Sequence, residues 1–232
     1  MALRKTARAG VYTDGSWLYT RNLTPGVSVY GEGLVRERDA EYRRWDANRS
    51  KLAAYLKRQG PVWPFEASTS VLYLGAGSGT TVSHLSDLCS SGSIVAIEIS
   101  PRSFRDLVAV AERRPNLLPL LGDASRPSTY RQHVGSVDVL YQDVAQRDQE
   151  GIFLGNLEFL RPGGTGFLIV KSRSTDVAAK PSDVYARAER ELAGHGLQIL
   201  DVRTLDPFET DHAAVVARKR SPPDRVAPAV RG

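Results

Sequence analysis

The stretch Val71-Leu72-Tyr73-Leu74-Gly75-Ala76-Gly77-Ser78-Gly79-Thr80-Thr81 joins four apolar residues to a glycine-rich segment. Four apolar residues in a row are typical of a strand that is buried on both faces, as in a parallel sheet. Glycines directly after such a strand let the backbone turn sharply and approach a ligand without interference from Cβ atoms. The stretch therefore predicts a strand, a ligand-binding loop and the start of a helix in an α/β sheet.

Further short apolar runs follow, and charged segments of helix length separate most of them. The runs lie at residues 94–99, 117–121, 137–142 and 166–170. The helix-length segments include residues 101–114 and 147–160. Such alternation predicts a parallel sheet that helices cover on both faces. Two last segments, 197–202 and 213–217, are joined by a short link around Asp206-Pro207 and could form antiparallel strands.

The residues before this region are rich in turn signals. Asp14-Gly15, a strong hairpin signal, lies between two short β-forming runs, and Thr24-Pro25-Gly26 marks a second turn. Residues 10–35 therefore predict a small β-rich unit. From residue 39 to 57 the chain is polar and favours a helix, in which Asn48-Arg49-Ser50 could cap a helix that begins at Lys51.

These patterns divide the chain into four parts. We expect a basic, flexible N-terminus at residues 1–9 and a small β-rich domain with a connecting helix at residues 10–55. The α/β domain is expected at residues 56–220. Residues 221–232 are rich in proline, arginine and alanine, and we expect them to be disordered.

Composition excludes several classes of protein. The single cysteine, Cys89, excludes an intrachain disulfide and a cysteine-cluster metal site. No apolar run approaches the roughly 20 residues of a membrane span, and residues 1–5 lack the apolar core of a signal peptide. We therefore expect a cytoplasmic protein that does not contact a membrane. The net charge of +5 over 232 residues makes polyanions plausible partners.

The spacing of the glycines indicates the class of ligand. Gly75, Gly77 and Gly79 form the pattern G-x-G-x-G, whereas the dinucleotide fingerprint requires a glycine at the position of Thr80. The loop also lacks the Gly-Lys-Ser/Thr ending of a phosphate-binding loop. These differences disfavour a dehydrogenase and favour a nucleoside ligand without a pyrophosphate, for which S-adenosylmethionine is the obvious candidate.

Acidic residues follow three successive strands. Glu98, 23 residues after Gly75, could accept hydrogen bonds from two ribose hydroxyls. Asp123, within Gly122-Asp123-Ala124, could bind the adenine amino group, and Asp143 could lie near the methionine end. All three would face the crevice in which open α/β sheets bind ligands. The alternative is that each acid only caps the helix that follows it.

Two lysines and a histidine are candidates for the chemical step. Methyl transfer to a hydroxyl requires stabilisation of a developing oxyanion and removal of a proton. Lys171, which ends an apolar strand, could do either, and Asp143 could orient it. Lys51 could reach the same cleft, and His212 could supply a fourth polar group. Taken singly, the lysines could instead be solvated, Asp143 a helix cap and His212 a surface histidine. The other histidines have no metal-ligand spacing, so we expect no metal.

Several motifs together resemble the fibrillarin family, in its archaeal form without a glycine-arginine-rich extension. The motifs are Trp45-Asp46-Ala47-Asn48-Arg49-Ser50-Lys51-Leu52, Gly79-Thr80-Thr81-Val82-Ser83-His84, Glu98-Ile99-Ser100-Pro101-Arg102, Gly122-Asp123-Ala124, Asp143-Val144-Ala145-Gln146, Val170-Lys171-Ser172-Arg173-Ser174 and Asp211-His212-Ala213. The resemblance covers residues 10–220. In the loop, Gly75-Ala76-Gly77-Ser78 departs from relatives that have an apolar residue and alanine in the middle.

The resemblance implies a Rossmann-like class I methyltransferase sheet of seven strands, mostly parallel with the last antiparallel, and a small N-terminal β domain. It implies 2'-O-methylation of ribosomal or transfer RNA with S-adenosylmethionine, and a catalytic set of Lys51, Asp143, Lys171 and His212. Family cofactor contacts correspond to Thr80, Thr81, Glu98, Ile99, Asp123, Ala124, Asp143, Val144, Ala145 and Gln146.

The same resemblance implies that the enzyme acts within a ribonucleoprotein particle. The particle would also contain a box C/D guide RNA, a Nop-type scaffold protein and a kink-turn-binding ribosomal-type protein. The modest charge and the lack of an aromatic RNA-reading motif are consistent with delegation of target choice to a guide. Two other hypotheses stay open: a stand-alone methyltransferase without a guide, and a non-catalytic assembly subunit that has kept the fold.

Overall fold

Five strands between Arg4 and Trp45 form an antiparallel sheet in the computed structural model, which describes residues 2–175 and 178–221. Its strands are β1 (Arg4–Lys5), β2 (Val11–Thr13), β3 (Leu18–Arg21), β4 (Leu34–Glu37) and β5 (Ala40–Trp45). Their spatial order is β1-β2-β3-β5-β4. The predicted turn joins β2 to β3, where an Asp14 carboxylate oxygen accepts hydrogen bonds from the backbone N–H groups of Ser16 and Trp17.

Two local predictions for this region are wrong. Residues 1–9 were expected to lack regular structure, but Arg4–Lys5 pairs with Tyr12 and Thr13 because the Thr6 backbone and hydroxyl both donate to the Val11 carbonyl. The polar segment that begins at residue 39 was expected to be helical, but its first part is strand β5. Its alternate residues Arg43 and Trp45 are fully buried, so the segment follows the period of a strand.

A short helix leads from the small sheet to the glycine loop. Helix α1 (Lys51–Lys57) begins where the sequence predicts, and the Ser50 hydroxyl accepts a hydrogen bond from the Ala53 N–H. The helix crosses the boundary that we place between residues 55 and 56, and that division into domains stays a prediction. Residues 222–232 of the expected disordered tail lie outside the described residues.

The described elements from Ser70 onward build the larger sheet and the helices on its two faces. Its elements are β6 (Ser70–Leu74), α2 (Thr80–Leu88), β7 (Ser93–Glu98), α3 (Pro101–Ala111), β8 (Leu117–Leu121), β9 (Val137–Gln142), α4 (Gln149–Gly155), β10 (Leu160–Lys171), α5 (Ser172–Thr175), α6 (Pro181–Gly194), β11 (Gln198–Thr204) and β12 (His212–Arg218). Short 3-10 turns lie at Pro127–Thr129 and Arg131–His133.

The larger sheet has the expected seven strands in the order β11-β12-β10-β9-β6-β7-β8. Strands β10, β9, β6, β7 and β8 pair in parallel, and the last strand, β12, is antiparallel to both of its neighbours. The predicted class I arrangement is therefore confirmed. The helix expected at residues 147–160 is shorter, because Leu160 already starts β10 beside Val137.

Alternate residues of each central strand enter different halves of the core. Val71 and Tyr73 belong to the cluster that includes α1, α2, α3 and the small sheet, whereas Leu72 and Leu74 belong to the cluster that includes α4 and α6. Burial on both faces explains why the strand is a continuous apolar run. In residues 2–175 and 178–221, no helix is both long and apolar enough to cross a membrane.

A buried ionic network fastens the small sheet to helix α2. Asp87 accepts from Arg43 at 2.9 Å and from Arg114 at 2.7 Å, and Arg43 also pairs with Glu32 at 2.6 Å. The ring of His84, which the sequence left without a role, is fully buried and hydrogen-bonds with Thr20 and Tyr30. These contacts hold α2, and the glycine loop before it, against the N-terminal strands.

Candidate active site

A cavity of about 490 Å³ lies at the carboxyl ends of strands β6 to β10. Most residues that the sequence assigned to the cofactor line it: Gly75, Gly77, Thr80, Thr81, Glu98, Ile99, Ala124, Asp143, Val144, Ala145 and Gln146. Lys171 lines it as well, whereas Gly79 and Asp123 do not. The expected crevice therefore exists where an open α/β sheet binds its ligand.

The glycine loop depends on a close approach between two backbone segments. Gly75 has φ +79°, and a Cβ built on it would lie 2.6 Å from the Asp143 carbonyl oxygen. Asp143 in turn donates its backbone N–H to the Leu74 carbonyl at 2.9 Å. Gly75 thus lets the loop pass directly beside the residue after β9, which brings Asp143 to the cavity.

Glu98, the last residue of β7, stabilises the glycine loop through a hydrogen bond. Its side chain is almost fully buried, and its two oxygens accept from the backbone N–H groups of Gly77 at 2.7 Å and Ser100 at 2.8 Å. The second bond supports the capping interpretation, because Ser100 is the N-cap of α3. A carboxylate has about four acceptor positions, so both oxygens keep capacity for a ribose hydroxyl donor.

Asp123 acts mainly within its own turn. One of its oxygens accepts from the Ser125 N–H, the Ser125 hydroxyl and the Gln146 side-chain amide, at 2.9, 2.8 and 3.1 Å. Burial raises the pKa of Asp123, but these hydrogen bonds outweigh burial and leave the pKa below its ordinary value. Asp123 thereby holds Gln146 in the cavity wall, while the adjacent Ala124 lines the cavity itself.

The two candidate lysines meet at one carboxylate. Lys171 Nζ lies 2.9 Å from Asp143 Oδ1, and Lys51 Nζ lies 3.2 Å from Asp143 Oδ2. All three side chains are between 13% and 18% exposed, so they are shielded from solvent without being fully buried. Asp143 and Lys171 line the cavity, whereas Lys51 does not. Such pairs are stronger than surface ion pairs because little water screens them.

Contacts that the sequence did not reveal set the positions of these lysines. The Gln149 side chain accepts from the Lys171 N–H at 2.8 Å and donates to the Lys171 carbonyl at 3.1 Å, which fixes the end of β10. Glu209 lies 3.8 Å from Lys51 Nζ, and Thr81 donates to the cap residue Ser50 at 3.0 Å. No local pattern predicts these contacts, because each joins segments that are distant along the chain.

His212 is less directly part of this group. It lies opposite Lys171 in the register of β10 and β12, but its Nδ1 is 2.7 Å from the Thr210 carbonyl oxygen, and the residue does not line the cavity. The structure therefore brings Lys51, Asp143 and Lys171 together and places His212 beside them on the next strand.

A family model described as Fibrillarin matches residues 4–221. The chain belongs to the fibrillarin family. This finding confirms the resemblance drawn from the motifs at residues 45–52, 79–84 and 143–146, all of which lie within the matched range.

Individual fibrillarins are similar over nearly the whole chain. A fibrillarin-like rRNA/tRNA 2'-O-methyltransferase of Thermococcus sibiricus is 45% identical over 94% of this chain and all of its own length. Aeropyrum pernix fibrillarin, solved with natively bound S-adenosyl-L-methionine, has a TM-score of 0.86 at 45% identity and covers 94% of this chain and 98% of its own. The fibrillarin of a fibrillarin/Nop5p complex has a TM-score of 0.86 at 38% identity, over 94% and 100% of the two chains.

Proposed function

We propose that this chain transfers a methyl group from S-adenosylmethionine to the 2'-hydroxyl of a ribose in ribosomal and transfer RNA. The observation that carries the proposal is the Asp143 carboxylate between Lys51 and Lys171 at the rim of the cavity. The methyltransferase from Thermococcus sibiricus, which matches over its full length, supports the substrate class.

The cavity residues fit the cofactor by their chemistry. Glu98 supplies a carboxylate for ribose hydroxyls, and Ile99, 53% exposed on the cavity wall, offers apolar surface for an adenine ring. The open backbone at Gly77, where a Cβ would meet nothing within 4 Å, leaves room for a ligand. When bound, S-adenosylmethionine supplies an electrophilic methyl group on a positively charged sulfonium. Asp143 places a negative charge at the same edge.

The three central side chains have complementary roles in the step. Asp143 holds Lys171 at the cavity and orients its ammonium group. In its charged form Lys171 stabilises negative charge as it develops on the ribose oxygen, and in its neutral form it accepts the hydroxyl proton. Lys51 reinforces the positive field from the opposite oxygen of Asp143. His212 is proposed as a further polar group on the adjacent strand.

The proposal includes the setting in which the enzyme works. A box C/D guide RNA selects the nucleotide by base pairing, a Nop-type scaffold and a kink-turn-binding protein assemble the particle, and the protein acts in the cytoplasm. The similarity to the fibrillarin of a Nop5p complex supports the scaffold. The net charge of +5 supports weak, nonspecific binding of RNA by the chain alone.

Transfer of radiolabelled methyl groups tests the function. The chain is assayed alone and in a particle reconstituted with guide RNA, scaffold and kink-turn protein, and the product is digested to identify 2'-O-methylated nucleosides. We expect methylation only in the particle and only opposite the guide. Activity of the chain alone would favour the stand-alone alternative. No calorimetric binding at millimolar cofactor would favour the non-catalytic subunit.

A further inference from the structure

The charged side chains at the cavity rim form a chain of alternating sign. Glu209 Oε1 lies 3.8 Å from Lys51 Nζ, which in turn lies 3.2 Å from Asp143 Oδ2. The other carboxylate oxygen of Asp143 lies 2.9 Å from Lys171 Nζ. Among residues 2–175 and 178–221, no further charged side chain forms an ion pair with any of these four. We call the four side chains the charge chain.

One half of the charge chain faces the cavity. Asp143 and Lys171 line it, whereas Lys51 and Glu209 do not. All four side chains are between 13% and 21% exposed, so solvent screens their charges only partly. The charges of Lys51 and Glu209 therefore act on a ligand in the cavity, although neither side chain lines it.

The formal charges of the chain cancel when Glu209 is counted. Lys51 and Lys171 share the single negative charge of Asp143, so these three side chains carry an excess positive charge. An excess positive charge at the rim disfavours the sulfonium of S-adenosylmethionine by Coulomb repulsion. The carboxylate of Glu209 offsets the excess through Lys51, and the ammonium group of Lys171 still faces the ribose oxygen.

The link that carries Glu209 is anchored at both ends. Residues 205–211 connect β11 to β12. The Glu209 N–H donates to the carbonyl of Leu205 at 3.2 Å, and the Leu205 side chain is fully buried. At the other end, the Asp211 carbonyl accepts from the N–H and the hydroxyl of Ser172, both at 3.1 Å. These contacts give the carboxylate on the link a defined place beside the catalytic lysines.

A buried tyrosine near the charge chain experiences both of its carboxylates. Tyr141 lies on β9 and is fully buried. Burial, the neighbouring Tyr73 and the charges of Asp143 and Glu209 all raise the pKa of the Tyr141 hydroxyl well above its ordinary value. The two carboxylates therefore act on the same part of the core, which supports treating their charges as one group.

We propose that Glu209 offsets the charge of Lys51, so that the charge chain carries no excess positive charge that would favour the product S-adenosylhomocysteine over S-adenosylmethionine. This inference rests on the proposed function. In methyl transfer the bond between sulfur and the methyl carbon breaks, and its electron pair stays on sulfur. The product therefore lacks the sulfonium charge, and a neutral rim helps the charged cofactor to replace it. Because Glu209 acts through Lys51, it is a positioning residue and not a catalytic one.

Calorimetric titration with S-adenosylmethionine and with S-adenosylhomocysteine tests the proposal without methyl transfer. The two compounds carry the same adenosine, amino and carboxyl groups, so the ratio of their dissociation constants isolates the effect of the sulfonium charge. Glu209→Gln preserves the size of the side chain, and we expect it to shift this ratio about three- to tenfold toward the product. Adding Lys51→Met to Glu209→Gln removes the excess positive charge and should restore the ratio. Glu112→Gln, at an exposed position at the end of α3, is the matched control and should leave it unchanged.

The outcomes separate a role of charge from a structural role. Equal weakening of both compounds in Glu209→Gln would overturn the inference, because a loss of structure does not distinguish a sulfonium from a thioether. A shifted ratio that Lys51→Met does not restore would also overturn it, since Glu209 would then not act through Lys51. An unchanged ratio, in a protein that methylates RNA when unsubstituted, would remove the inference and leave the proposed function. No binding of either compound to the unsubstituted protein would remove both.

Inhibition by the product gives a second measure, during turnover. Methyl transfer is followed in the preparation that methylates RNA in the assay above, with increasing amounts of S-adenosylhomocysteine. We expect Glu209→Gln to be inhibited at a ratio of product to cofactor about three- to tenfold lower than the unsubstituted protein. Equal sensitivity of the two proteins would contradict the proposed charge balance.

Discussion

Lys171 Nζ lies 2.9 Å from Asp143 Oδ1, although 28 residues separate the two along the chain. The distance is short because β9 and β10 are adjacent parallel strands, and both residues stand where those strands end. Lys51 reaches the other oxygen of the same carboxylate from helix α1. Because Asp143 forms an ion pair with both lysines, its carboxylate orients both ammonium groups.

The first prediction concerns the charge of Asp143. Asp143→Asn preserves the size of the side chain but removes the charge that holds Lys171 and Lys51. We expect the rate of methyl transfer to fall about 10²–10⁴-fold, which is typical for loss of acid–base or electrostatic assistance. The fold should survive, as measured by thermal unfolding. Asp148→Asn is the matched control, because Asp148 only caps α4 through the Gly151 N–H. A near-normal rate in Asp143→Asn would contradict the proposed roles.

The second prediction concerns cofactor affinity. Glu98→Gln removes the charge that accepts from Gly77 and Ser100 and is proposed to accept from the ribose hydroxyls. A hydrogen bond to a charged group contributes about 1.5–3 kcal/mol, so binding of S-adenosylmethionine should weaken roughly ten- to hundredfold. Isothermal titration calorimetry measures this change. Glu112→Gln, at an exposed position at the end of α3, should leave affinity unchanged. Equal affinities for the two variants would argue against a ribose contact at Glu98.

The sequence predicted the sheet well because its evidence is local. The apolar run at residues 137–142 coincides with β9, because a strand buried on both faces needs nearly continuous apolar residues. The run at residues 117–121 coincides with the edge strand β8, although Leu118 and Leu121 are exposed there. Residues at the carboxyl ends of those strands could be assigned to the site for the same reason. The carboxyl ends of parallel strands lie at one edge of the sheet, and this does not depend on the structure of the helices that connect the strands.

The errors arose where distant residues decide the local structure. Arg43 gives residues 39–57 a polar, helix-like pattern, yet it is buried because Asp87 and Glu32 approach it from elsewhere in the chain. His84 received no role from the sequence for the same reason, since its partners Thr20 and Tyr30 precede it by more than 50 residues. The Gln149 side chain likewise hydrogen-bonds to the backbone of Lys171, which lies 22 residues further along the chain, and no spacing in the sequence predicts this contact.

The third prediction concerns the close approach at Gly75. Gly75→Ala places a Cβ 2.6 Å from the Asp143 carbonyl oxygen and forces a non-glycine residue to adopt φ +79°. The left-handed conformation alone costs about 1–3 kcal/mol, and the backbone contact adds to this cost. Chemical denaturation should show the loss, together with weaker cofactor binding. Gly155→Ala, in helix α4 with open space around its Cβ position, should be neutral or stabilising by up to about 1 kcal/mol. Similar stabilities of the two variants would contradict the predicted strain.

The fourth prediction concerns acid stability and the buried pair of Glu32 with Arg43. Burial raises the pKa of Glu32, but the charge of Arg43 and the backbone N–H groups of Tyr30 and Val29 outweigh burial and lower the pKa below its ordinary value of 4.5. A carboxyl whose pKa is lowered on folding stabilises the native state above its unfolded pKa. That stabilisation is lost as the pH falls through the folded pKa, so we expect it to be complete at neutral pH and to disappear below pH 4.5.

Glu32→Gln measures this contribution directly. At pH 7 the variant should lose roughly 3–5 kcal/mol, because it leaves the buried Arg43 with one charged partner fewer. The difference from the unsubstituted protein should shrink as the pH is lowered through the folded pKa of Glu32, where the carboxyl is protonated in both states. Glu158→Gln tests a surface pair with Arg131 and should cost no more than about 1 kcal/mol at any pH. Urea unfolding at pH 7 and at intervals below pH 4.5 gives the free energies of unfolding of the unsubstituted protein and of both variants. A difference for Glu32→Gln that stays constant with pH would show that its charge does not stabilise the contact between the small sheet and helix α2.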